Sequence, residues 1–119
     1  MSAEIDARIA LVNGWKDLRQ NTLWGDADMT GIPPGKLRTF VPRWSSSLDL
    51  MWELWAKEQY LWVQLNREQP MPSLVVWEAI VYNDPTLHDQ VRIVEEESHG
   101  GTASTVLALA YLKVKEGKG

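Results

Sequence analysis

The stretch Ser46–Arg67, SSLDLMWELWAKEQYLWVQLNR, decides how this chain is read, because it is the longest run with a helical apolar period and holds three of the seven tryptophans. At about 100° per residue, Leu48, Met51, Trp52, Trp55 and Trp62 fall on one side, and Leu50, Leu54, Leu61 and Leu65 widen the stripe. Ser46 followed by Asp49 is a start signal, since both side chains accept N–H groups that a first turn leaves unpaired. Pro42 and the serines precede it, and Asn66-Arg67-Glu68-Gln69-Pro70 closes it. The spacing predicts one long helix over 46–67, buried on more than one side, with Glu58 and Gln59 at its rim or against polar neighbours. Trp52, Trp55, Trp62 and Trp77 read as packing residues.

Outward from this run, Ser2 to about Asn13 predicts a first helix on Ile5, Ile9 and Val12, stopped by Gly14, with Trp15 folding back on it. Residues 16–36 are punctuated by Gly25, Gly31, Pro33 and Pro34 and predict an irregular excursion. Leu37–Val41 alternates as a short edge strand. Leu74–Tyr82, β-branched and aromatic at nearly every position, predicts a strand covered on both faces, and Val91–Val94 its hairpin partner. Thr102 caps a last helix whose face is Ala103, Val106, Leu107, Ala110 and Val114, with 115–119 frayed and Leu109 and Leu112 as an offset stripe. Helices flanking a small antiparallel sheet make an α+β fold.

With 119 residues the chain makes one domain. Apolar residues at 45% and charged residues at 24% are globular values, which argues against disorder outside the tails. The absence of cysteine removes a disulfide framework, a thiol nucleophile and a cysteine zinc site. A net charge of −4 argues against a duplex nucleic-acid binder. The start lacks a signal peptide, and no run is long enough to span a membrane.

Four places resemble the phage ABA-sandwich domain family of small phage and prophage proteins. These are the first helix ending in Gly14-Trp15, the lead Pro42-Arg43-Trp44-Ser45-Ser46-Ser47 into an amphipathic helix with Trp52, the hairpin, and the alanine- and leucine-rich run Thr102–Leu112. The family's last helix commonly carries a cysteine, and this one does not. The resemblance implies a three-layer helix/sheet/helix sandwich made by a phage in the host cytoplasm, and no established activity.

No Ser-His-Asp order, HExxH, Walker or Rossmann pattern occurs, and His88 and His99 fall in or beside loops, so the expectation is a non-catalytic protein without metal or cofactor. Trp24 and Trp44 lie in segments without a period, as lids over the core or as binding surfaces. Arg43-Trp44 and Arg38 near Phe40 suit a ligand with a π-face and a negative charge. A candidate anion site is therefore expected where Arg38, Arg43 and Trp44 approach Thr102, Ser104 and Thr105, at the positive end of the last helix. Two functions follow: sequestration of a small nucleotide-type signal of host antiviral immunity, or an adaptor or inhibitor bound to a host protein, with tryptophans and Glu95–Glu97 in contact. A homo-oligomer is expected in either case.

Overall fold

The computed structural model describes residues 2–20, 29–58, 62–82, 90–97 and 102–117. The chain is α+β, with three α-helices and two antiparallel three-stranded sheets among the described residues. Helix α1 spans Ser2–Val12; strands β1 Lys16–Gln20, β2 Met29–Ile32 and β3 Thr39–Phe40 form the first sheet in the order β1-β2-β3. A 3-10 turn at Trp44–Ser46 leads into α2, Leu48–Ala56. Strands β4 Trp62–Met71, β5 Leu74–Tyr82 and β6 Gln90–Glu96 form the second sheet with β5 central, and α3 covers Ala103–Gly117.

Helix α3 is the hub, a place expected for the 46–67 run. Val106, Leu107, Ala108, Ala110, Tyr111, Leu112 and Val114 are all buried, so apolar residues surround most of its circumference, the pattern of a helix inside a core. It packs on all three strands of the second sheet and on α1, α2 and the 3-10 turn. Leu112, expected on an offset stripe open for association, is in this core, and Leu109 is half-buried. Nor does the helix fray at 115: Lys115 pairs with Glu58 and Glu116 with Arg8.

The single long helix over 46–67 does not form. Helix α2 is capped by Ser47, whose side chain accepts from the Leu50 N–H at 3.3 Å, one residue beyond the expected Ser46, and it ends at Ala56. From Trp62 the chain is a strand. Val63 and Leu65 lie toward α3 while Trp62 and Gln64 are exposed, a period of two that the leucine spacing masked. What favours the strand is tertiary: β4 pairs with β5 from Trp62↔Tyr82 to Met71↔Leu74, satisfying backbone groups along the length of β5. Pro70 sits on an edge strand where the register shifts, a position that needs no ladder donor. Trp55 is buried edge-to-face against Tyr111 at 5.4 Å, but Trp52 and Trp62 are exposed and Trp77 is half-buried at the core's edge. The Trp55 Nε1 is buried without an acceptor among the described residues. Glu58 meets Lys115 as a rim residue; Gln59 lies outside the described residues.

Residues 16–36, expected to be irregular, contain β1 and β2. The expected edge strand at 37–41 is the two-residue β3, and the hairpin of 74–82 with 91–94 is β5 with β6. Helix α1 ends as expected: Gly14 at φ +86° lets its own N–H reach the Leu11 carbonyl and the Trp15 N–H reach that of Ala10, the paired bonds of a Schellman stop. The first sheet is held by a close approach at Gly31, where an added Cβ would stand 2.5 Å from Leu18 Cδ2 and 3.1 Å from Trp15 Cε3. Trp15 in turn lies edge-to-face on Trp44. Gly31→Val should therefore cost about 1–3 kcal/mol by overpacking, read as a fall in the urea midpoint at unchanged slope. An unchanged midpoint would show that Leu18 and Trp15 do not press on this backbone.

Candidate functional site

The segment carrying Arg43 and Trp44 does meet the start of α3, and the joint is Ser45. Its buried N–H donates to Asp6 Oδ1 at 2.7 Å, and its carbonyl accepts from Ser104 Oγ at 2.9 Å and from Thr105 Oγ1 at 3.3 Å. Thr102 Oγ1 accepts from the Thr105 N–H at 3.2 Å and lies 2.9 Å from Thr105 Oγ1, so it caps α3 as expected. The hydroxyls expected to meet an anion are thus engaged in capping α3 and in tying it to the 3-10 turn. Trp44, 6% exposed, is packed against Trp15 and presents no stacking face. Arg43 is exposed, and its charge acts on the Asp6 carboxyl.

Arg38 is engaged elsewhere. Its Nη1 donates to Thr30 Oγ1 at 3.2 Å on the first sheet, and it pairs with Asp17. Of the six residues expected to form one site, five gather around Ser45 and Arg38 is committed to β1-β2-β3. Trp24, Gly100, Gly101, His88 and His99 lie outside the described residues. Among the described residues no group of three or more histidine, aspartate or glutamate side chains is arranged to hold a metal ion, and no helix is long and apolar enough to cross a membrane.

Sequence reasoning missed two features. One is Asp6, which shares a face with Ile9, Ala10 and Asn13 at helical spacing; an acid on that face must find a donor when buried. The other is the outer face of β1-β2-β3, where Arg19, Thr30 and Phe40 stand in one row across the sheet and Arg38 crosses to Thr30. Asp17, at φ +53° in the bulge between Lys16 and Arg19, holds both guanidiniums. Phe40 is 59% exposed and Leu37 88%. Lys36 and Arg38 flank Leu37 in the sequence and Arg19 stands in the row of Phe40, with Asp17 as their acid among the described residues of this region, in a chain whose net charge is negative. The alternation Lys36-Leu37-Arg38-Thr39-Phe40 was the available signal.

The second sheet carries a contrasting cluster on the face turned away from α3. Glu78 is paired with Arg92 and accepts from Asn66 Nδ2 at 2.9 Å. Its lateral neighbours cover it although it stands on the sheet's outer side. Comparison with family models, with curated proteins and with solved structures finds no match.

The two covered carboxyls titrate in opposite directions. Burial pushes Asp6 above its ordinary 3.8, against the Ser45 bonds and the Arg43 charge, whereas the Asn66 bond, aided by Arg92, holds Glu78 below its ordinary 4.5. For Asp6, folding binds the proton more tightly, so its contribution is fully present below 3.8 and lost as pH rises through the raised value. For Glu78 the contribution is present above 4.5 and lost as pH falls through the lowered value. Parent-minus-variant stability should accordingly decline with rising pH for Asp6→Asn and grow with it for Glu78→Gln, in denaturant titrations at stepped pH. Asp6→Ala, which leaves the Ser45 N–H buried and unpaired, should cost about 1–3 kcal/mol. Equal slopes for both variants would contradict these environments.

Proposed function

We propose that the protein is a non-catalytic adaptor or inhibitor that docks on a second protein through the outer face of β1-β2-β3. The observation that carries this reading is the exposure of Phe40 on β3 and of Leu37 just before that strand, among Lys36, Arg38 and Arg19. Large apolar side chains left in water amid cations suit a partner with apolar and acidic residues, and a projecting face suits a macromolecule better than a small ligand, which needs a concavity. Arg38 and Arg19 are already oriented by Asp17, so less side-chain freedom is lost on docking. A phage origin, as the family resemblance implies, would make the partner a host protein of the cytoplasm. Sequestration of a nucleotide-type anion beside Arg43 draws support from the gathering of five expected residues at Ser45, but the hydroxyls it requires already serve the fold.

The test compares the parent with the double variant Leu37→Glu, Phe40→Glu in a pull-down from host extract, alongside thermal melts with a panel of cyclic and linear nucleotides. Both side chains are exposed, so the variant should keep its melting temperature to within the effect of about 0.5 kcal/mol per site. The expected result is a host protein retained by the parent, lost with the variant, and no nucleotide-dependent rise in melting temperature. A nucleotide that raises the parent's melting temperature but not that of Arg43→Ala would replace the adaptor by the sequestering protein.

A further inference from the structure

Strand β5 is apolar at nearly every position, the pattern of a strand covered on both faces, yet among the described residues the cover, α3, lies on one face. Ala79 and Val81 are buried under α3, with Val63, Leu65 and Ile93 packed beside them. The alternate residues form the opposite face: Trp62, Gln64, Asn66 and Glu68 on β4, Val76, Glu78 and Ile80 on β5, Arg92, Val94 and Glu96 on β6. Met71, paired with Leu74 after the register shift, extends it. Trp62 is 56% exposed and Val94 49%.

We propose that this face is covered by the same face of a second copy, forming a symmetric dimer of stacked sheets. The argument is self-complementarity. A two-fold axis parallel to the sheet and midway between the two copies, perpendicular to the strands and level with the row Asn66, Glu78, Val94, stacks each strand on its own copy in reverse direction. Residues equally far from that row then face one another. Arg92 faces Glu96, Ile80 faces Val76, Gln64 faces Glu68, Trp62 faces Met71, and Val94 meets Val94. Apolar meets apolar, cation meets anion and amide meets carboxylate along all three strands. Glu78 meets its own copy, but each is already held by Asn66 and Arg92. A two-fold running along β5 instead sets β4 on β6 and brings Glu68 against Glu96, a like-charge contact that disfavours it.

Size sets the strength. Three strands about 4.8 Å apart and some 30 Å long give a projected face of about 400 Å² per copy, about 800 Å² for the pair and in the range of weak, transient interfaces, so association should be visible only at high concentration.

The experiment is sedimentation equilibrium from micromolar to several hundred micromolar, on the parent and on Val94→Asp. Val94 is exposed in one copy, so the substitution should leave circular dichroism and melting of the dilute protein unchanged while weakening association at least tenfold. Register is read by cross-linking, which the absence of natural cysteine makes clean. Facing sheets stand about 10 Å apart, too far for a direct disulfide, so Val94→Cys should be trapped as a dimer by a short bis-maleimide, whereas Thr39→Cys on the other sheet should not. A parent that stays monomeric throughout, a Val94→Asp variant that associates like the parent, or trapping equal at both cysteines would each overturn the proposal.

Discussion

The peptide of Ser45 is buried, and its two polar groups reach across the whole sequence. Its N–H goes to Asp6 on α1 and its carbonyl to Ser104 and Thr105 on α3. A buried backbone group without a partner costs a large fraction of a small domain's stability, so the 3-10 turn can sit at this depth only when both helices are in place. That turn in turn fixes Trp44 against Trp15, Trp15 against Gly31, and so the first sheet against the helices. The second sheet depends on the same joint by another route, since the helix that Ser104 and Thr105 begin is the one covering β4, β5 and β6.

Elements whose local signals agree were legible in the sequence. Helix α1 had its period and Gly14, β5 and β6 their β-branched residues, and α3 its Thr102 cap. The 46–67 run failed because two periods overlap there. Leu54, Leu61 and Leu65 continue the helical stripe of α2 on paper, while Val63, Gln64, Leu65 and Asn66 alternate as a strand, and pairing with β5 decides between them. The first sheet was hidden for another reason: β2 contains Gly31, β1 begins in a bulge at Asp17, and both are stabilised by packing that no local window contains. Of the candidate site, the meeting of Arg43 and Trp44 with the start of α3 was legible. What the hydroxyls do there was not, because the acceptor is a main-chain carbonyl and the counterpart acid, Asp6, lies 39 residues away from Ser45.

The two sheets divide the surface by charge. The first gathers Lys16, Arg19, Lys36 and Arg38 around Phe40, and the second ends in Glu95, Glu96 and Glu97, with Trp77 Nε1 donating to Glu97 at 3.1 Å. A net charge summed over the chain conceals this separation, and the basic side is the one a whole-protein value argues away. The second sheet has one face on α3, and the outer faces of the two sheets differ enough in composition to serve different partners.

Because α3 comes after every element it covers, the order of synthesis matters. Until 103–117 has emerged, the inner face of β5 and the apolar side of α1 have no cover, and the closing contacts join residues far apart, 59 positions for Ser45 with Ser104 and 108 for Arg8 with Glu116. Contacts of that separation require loop closure before they return any stabilisation, which slows folding by orders of magnitude relative to helical bundles of similar size. The nascent chain thus carries a β-branched strand with its inner face bare while it waits, the kind of segment that draws chaperones or associates with its neighbours. Holding the core together from one late helix gives a cooperative fold and, with it, a vulnerable interval before that fold exists.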